Sequence, residues 1–546
     1  MRKVLLILSV LSFIAMASLA AGCSVTTLDH YSADSAADPE DDAHDTGGDV
    51  SADTPADHPE DFRPDLPVDI VHDDPVADVP MDPPLDPPRE DIMDTTEPDR
   101  EMPTEVYTDS ITLCEPGELR CRDGFTLQAC NEAGTGWLSE ECPFGCTAED
   151  DPVRCLEFVP SNVVDGSSLC MEGLTEVVLH ADTAHIMVHT DSGEITQHSG
   201  EWGDLAPLRG GGTGLINGID FSLQAAVDLT APLGIFSFRH FSLPAGVTMW
   251  LTGSNAAVIL SCEDVSIQGT LVAGAIHITG DGIEEFRPGP GGGDAGQGPG
   301  AGHDGATGSN YTSGGGGGGS FGGTGGHGAT GVQGGSSGAG GPPGAPYANE
   351  LLTPLHGGSG GGRGADNGSS PTSGYGGPGG GALQISTPGS ITVEAGGIVD
   401  ACGWGGLTAQ SSGGGGGGGS GGAILLEAHT ITTHTGGIIA SNGGGGGSGG
   451  GGSGTWGNAG ERGRMSLEPA AGGAAVGSGC AGGNGSHAHD MDGVSPGCET
   501  YNGGGGGGGA GRIRLNAIVH SIAGETTSPA LDAAESTTTT GEPARE

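Results

Sequence analysis

Glycine occurs in unbroken runs in this chain: Gly314–Gly319, Gly413–Gly419, Gly443–Gly447 followed by Gly449–Gly452, and Gly503–Gly509. Such a run has no side chains to bury and loses the most backbone freedom on ordering. It must either stay a flexible loop or find partners for its own N–H and C=O groups. All but eight of the 115 glycines follow Phe158. They lack the strict every-third-residue register of collagen. With only 11 Phe, 6 Tyr and 5 Trp among 546 residues, a compact enzyme core filling the whole chain is excluded. The formal net charge of −52 repels a polyanion, so nucleic acid is not an expected partner.

Between the runs a unit recurs. Ala257-Val258-Ile259-Leu260 is followed by Val265-Ser266-Ile267 and Thr270-Leu271-Val272. Ala382-Leu383-Gln384-Ile385 is followed by Ile391-Thr392-Val393 and Ile398-Val399-Asp400, and Ala423-Ile424-Leu425-Leu426 by Ile431-Thr432-Thr433 and Ile438-Ile439-Ala440. A shorter copy opens at Arg512-Ile513-Arg514-Leu515. Three short β-branched pieces per unit, parted by Gly turns, predict a parallel β-helix-like coil. One coil cannot bury its apolar side alone, so Val258, Leu383, Ile424 and Ile513 are expected to stack into one inward ladder, with Gln384 and Arg514 facing out. Phe236, Phe238 and Phe241 fall in early coils and supply an aromatic end cap. The glycine runs leave these coils. Flexible loops are one expectation for them, and extended polyglycine II strands packed side by side are the other. Purity beside every coil favours the second.

The chain opens Met1-Arg2-Lys3, runs apolar from Val4 to Ala21 and reaches Ala20-Ala21-Gly22-Cys23, the plan of a secretory signal. Residues 1–22 read as signal peptide and 23–110 as an acidic tether. From Ser24 to Ser110 there are 27 Asp and Glu against Arg63, Arg89 and Arg100, interleaved with Pro. That composition leaves nothing to offset ordering entropy, so a disordered, extended spacer is expected. Residues 525–546 are expected to be a disordered tail.

Six cysteines, Cys114, Cys121, Cys130, Cys142, Cys146 and Cys155, lie in segment 111–158. An even count in an exported chain predicts three disulfides, with 15 connectivities open. Trp137 in that module either covers the disulfides or offers a stacking face to sugar. Cys480 and Cys498 predict a further bridge, worth about 3 kcal/mol by loop closure. Cys170, Cys262 and Cys402 then leave one thiol over.

Chemistry on the body, 159–524, is sparse. Glu427, Glu394 and Asp400 do not line up on neighbouring coils as an acid–base pair requires, and they are expected on a solvated face. His487, His489, Asp490 and Asp492 form a weak metal-ligand pattern without the distal Glu of a calcium loop. No catalytic residue and no cofactor is expected. GxGxxG matches arise by chance at this glycine content.

Ala20-Ala21-Gly22-Cys23 resembles the lipobox of bacterial lipoproteins, and Ser24 after the Cys resembles the outer-membrane sorting pattern. Phe241-Ser242-Leu243-Pro244-Ala245-Gly246-Val247-Thr248 and Gly421-Gly422-Ala423-Ile424-Leu425-Leu426-Glu427-Ala428 resemble secreted glycine-rich proteins of Gram-negative bacteria. The first resemblance implies lipidation of Cys23, with the membrane as partner through that anchor, and an outer-membrane location exposed at the cell surface. The second implies a structural or adhesive role toward surface glycans or other cells, with no enzymatic activity. Two rivals stand beside it. One is a carbohydrate-active enzyme on the same coils. The other is a glycan-binding module using Trp137, Trp250, Trp404 or Trp456.

Overall fold

The computed structural model describes residues 112–148, 152–164, 169–200, 202–225, 232–280, 283–367, 372–498 and 500–546. Cys23, the signal segment 1–22 and the tether 23–110 lie outside them. The described residues belong to one compact unit, Thr104–Glu546. They are all-β, with no helix, and their two large sheets have eleven and seven strands.

Each repeat contributes one strand to a growing parallel ladder. Leu233–Phe238, Ala256–Ser261, Ala382–Ser386, Ala423–Thr433 and Arg512–Ile522 pair in that order, all parallel. The middle pieces do the same: Phe241–Leu243 pairs with Val265–Ile267, which pairs with Ser390–Val393 and then with the second half of Ala423–Thr433. The third pieces, Thr248–Thr252, Thr270–Val272, Ile398–Asp400, Ile438–Ala440 and Thr527–Ser528, extend the seven-stranded sheet. Alternation then sends Ile259, Ile385, Leu426 and Leu515 to one dry core, together with Ile391, Ile431, Val399 and Ile439. The first units close that core with Phe221, Phe236, Phe238 and Phe241, so the aromatic cap stands where the sequence put it.

Three expectations need correction. The register pairs Ala257, not Val258, with Leu383, and a slip of one residue exchanges the two faces. Val258 therefore joins Leu260, Ala382 and Leu425 in a second apolar cluster, sealed by Phe158, Val163, Phe321, Leu352 and Leu355. Because that face is covered, Gln384 is fully buried and Arg514 half-buried rather than solvated. The tail is ordered too: Thr538–Gly541 pairs with Ile513–Asn516, and Glu546 exchanges backbone bonds with Glu157.

The glycine runs are buried along almost their whole length, and their amides are spent on one another. Gly415, Gly418 and Gly421 donate to the carbonyls of Gly503, Gly506 and Gly509. Gly414, Gly417 and Ser420 donate to Ala365, Gly362 and Ser359, and Gly416, Gly419 and Gly422 to Leu407, Trp404 and Ala401, all at 2.8–3.3 Å. Every third residue faces the same neighbour, so one run serves three partners with a three-residue period. Three runs close a triangle: Gly316 donates to Gly415, Gly415 to Gly503, and Gly506 to Gly316. The run 443–451 repeats the pattern, with Gly444, Gly447 and Gly450 donating to Gly419, Gly416 and Gly413. Only glycine permits this approach. A Cβ built on Gly415, Gly417 or Gly505 would lie closer than 3.0 Å to the backbone of Gly447, Gly317 or Gly416.

Gly417→Ala is thus expected to cost about 2 kcal/mol or more, the overpacking range, because only rigid backbone stands in the way. Gly524→Ala, at a glycine with nothing within 4 Å, is expected to stay within about 0.5 kcal/mol. Denaturant unfolding of the two variants checks the contrast. Equal effects would show that the close approach is not what the runs require.

Candidate functional site

Among the described residues the cysteines form five bridges and leave one thiol. Cys114–Cys130, Cys121–Cys146 and Cys142–Cys155 staple the small module, whose antiparallel strands Leu119–Asp123, Thr126–Cys130 and Trp137–Glu141 hold little core of their own. Cys480–Cys498 forms as its spacing predicts. Cys170–Cys262, a pairing that spacing could not single out, ties the entry segment to the second repeat. Cys402 is the free thiol and is fully buried. Burial pushes its pKa well up, and the Asp400 carboxylate adds to the effect. Its Sγ accepts from the Asn442 amide at 3.3 Å.

The carboxylates expected on a solvated face are sealed instead. Glu427 accepts from Ser161 N–H at 2.9 Å, Ser161 Oγ at 2.5 Å, Gln384 Nε2 at 3.0 Å, Ser386 Oγ at 2.9 Å and Asn516 Nδ2 at 3.3 Å. Burial pushes its pKa above the ordinary Glu value, although every one of these donors favours the charged form. Its partner Ser161 belongs to the segment that covers the second apolar face, so Glu427 fastens that cover. Asp400 is equally enclosed. It pairs with Arg462, which also donates to Ala275 O at 2.7 Å. Glu394 alone stays near solvent, 3.6 Å from His434. These acids brace chain segments, and none faces a cleft beside a second one.

A cavity of about 770 Å³ lies where the stapled module meets the repeats and is lined by Asp123, Phe125, Glu141, Asp264 and His429. Asp264 accepts from Ser390 N–H and Oγ–H at 2.7 and 2.8 Å, and Asp123 from Phe125 N–H at 2.9 Å. The bond from Phe125 holds the Asp123 carboxyl below its usual range. Two of the three acids are therefore already engaged, Asp123 within its own turn and Asp264 across to the next repeat. His487 and Asp490 approach to 3.8 Å, but Asp492 accepts from Thr324 N–H and His489 lines a separate cavity. No three His, Cys, Asp or Glu among the described residues gather around a common point for a metal.

The tryptophans fall into different surroundings. Trp137 lies under the Arg120 guanidinium, 3.8 Å from its ring centroid, and Trp456 stands 56% exposed beyond the turn Gly452–Thr455. Trp250 and Trp404 each join a histidine stacked on a further ring. His185 stacks on Trp202 at 4.3 Å and 12°, with Trp250 5.2 Å from Trp202. His277 stacks on Phe286 at 4.3 Å and 9°, with Trp404 5.4 Å from Phe286. The part of Trp202, His185, His277 and Phe286 was not legible, because no periodic signal links them to the tryptophans.

Comparison with family models, curated proteins and solved structures finds no match.

Native protein is expected to leave Cys402 unmodified by iodoacetamide over hours, and denatured but unreduced protein to take up one label there. Peptide mapping by mass spectrometry checks this. Rapid native labelling of Cys402 would contradict the closed packing around Arg462.

Proposed function

We propose that this chain is a lipid-anchored outer-membrane protein that displays a rigid, non-catalytic body at the cell surface, with a structural or adhesive role. In this reading the repeats wind as a parallel β-helix, and the glycine runs form a polyglycine II-like array packed against it. The observation that carries the proposal is the hydrogen-bonded glycine array. It spends a large part of the chain on stiffness. A body so braced resists deformation, which suits a load-bearing surface element at the end of an acidic tether. Five disulfides support an oxidising compartment outside the cytoplasm. The enzyme rival loses support because Glu427 and Asp400 are enclosed and already engaged. The glycan-binding rival gains it from the paired aromatic clusters around Trp250 and Trp404, and it is compatible with display.

Cys23 is the testable point of attachment. Full-length protein in a Gram-negative host is expected to incorporate labelled palmitate, to be reached by antibody on intact cells, and to increase cell attachment to polysaccharide-coated surfaces. Cys23→Ser is expected to abolish all three. Palmitate-free protein, or antibody access only after lysis, would contradict the proposal.

A further inference from the structure

The two aromatic clusters share one plan. In each, a histidine lies flat on a larger ring and a tryptophan stands 5–6 Å away. The first arises from the seven-stranded sheet, and the second from the two-stranded hairpin Ile276–Gly280 and Ile283–Arg287, where His277 and Phe286 are cross-strand partners. His185 and Trp250 occupy outward positions on the paired strands Thr183–His189 and Thr248–Thr252, because Ile186, Val188, Met249 and Leu251 point into the core. His277 and Trp404 follow the ends of Thr270–Val272 and Ile398–Asp400, the next two strands of the same sheet. The backbone there is tied across by Ala275 N–H to Cys402 O at 2.8 Å.

Packing alone does not account for these groups. Trp202 is 53% exposed and sits at φ +59°, a conformation a bulky residue rarely adopts. The turn that holds it is over-determined. Trp202 N–H donates to Ser199 O at 2.9 Å, Ser199 N–H to Gly203 O at 2.9 Å, and Gly203 N–H to Ser199 Oγ at 3.0 Å. Strain kept in place by several bonds, with the ring left in water, is the mark of a contact surface. In both clusters a buried ring nitrogen, His185 Nδ1 and His277 Nε2, has no hydrogen-bond partner. A purely apolar occupant would leave those atoms unpaired, at about 1–3 kcal/mol each. An anionic occupant is disfavoured as well. Asp204 lies 3.2 Å from His198, Arg287 is already paired with Glu285, and burial together with His198 lowers the His185 pKa, so that ring is neutral near pH 7.

We propose that the two clusters are stacking stations for one uncharged polysaccharide chain, whose pyranose faces lie on Trp202–Trp250 and on Phe286–Trp404 while its hydroxyls meet the histidine edges. Flat rings beside polar ring nitrogens match a ligand that is apolar on its faces and polar at its rim. The second station lies beyond the ends of Thr270–Val272 and Ile398–Asp400, the strands that follow Thr248–Thr252 in the sheet, by about five residues, or on the order of 15 Å of extended chain. An oligosaccharide of several units is needed to span both. This deepens the adhesive reading above and rests on it.

Affinity electrophoresis of the full chain through gels containing hydroxyethyl cellulose, laminarin or galactomannan tests the site, with alginate as the polyanionic comparator. At least one neutral polymer is expected to retard the protein and alginate is not. Trp202→Asn, a residue that tolerates the left-handed backbone, and Trp404→Ala are each expected to weaken retention at least tenfold, and the double variant to abolish it. Unchanged thermal unfolding of Trp202→Asn separates loss of the site from loss of the fold. No retardation by any neutral polymer, retardation by alginate alone, or unchanged retention in the double variant would overturn the proposal. Cell attachment that survives in the double variant would sink the site while leaving the adhesive role standing.

Discussion

The structure depends on amide-to-carbonyl bonds between glycine segments that approach more closely than any side chain allows. Each such bond contributes only about 0.5–1.5 kcal/mol net, and fixing a residue costs about 1–2 kcal/mol. An isolated run would therefore stay unfolded. What changes the balance is anchorage. The runs 413–422 and 503–511 feed directly into the strands Ala423–Thr433 and Arg512–Ile522, whose ladder fixes their spacing and direction in advance. A three-residue period then lets each run bond in three directions at once, so the array becomes cooperative in two dimensions where a sheet is cooperative in one.

The apolar repeats and the glycine array depend on each other. The strand ladder is dry on both faces because Phe158, Val163, Phe321, Leu352 and Leu355 cover the second one. Some of those covers lie in the glycine-rich excursions themselves. Glu427 and Asp400 act as fasteners at the seams, one holding the segment at Ser161 and the other the loop at Arg462. Both are buried carboxyl groups held by several partners, and removing a partner of a buried polar group leaves it unsatisfied at a cost of about 1–3 kcal/mol. Rigidity in this body comes from seams and backbone, with few large side chains available to supply it.

Local pattern revealed the strand pieces, the unit boundaries, the aromatic cap and the even cysteine set, because each follows from short-range spacing. It did not reveal what lies across long separations. Val258 and Ala257 are both apolar, so periodicity alone could not decide which joins Leu383; the decision comes from the cover at Phe158 to Val163, about a hundred residues upstream. The same cover turns Gln384 and Glu427 from surface residues into buried ones. Cys170–Cys262 spans 92 residues and carries no motif. Residues 525–546 look like a polar tail, yet Thr538–Gly541 completes the ladder by backbone bonding, for which threonine needs no apolar partner. The stacked aromatic pairs were hidden for a related reason. His185 and Trp202 are adjacent only because two hairpins meet.

Amide hydrogen exchange over the glycine runs tests the central claim most directly. If Gly414–Gly419 and Gly503–Gly509 are bonded as described, peptides from these runs will exchange orders of magnitude more slowly than an unstructured chain, with protection close to that of Ala423–Thr433. Exchange of those peptides at the unstructured rate, beside a protected strand ladder, would show that the glycines are loops and that the body owes its rigidity to the strands alone.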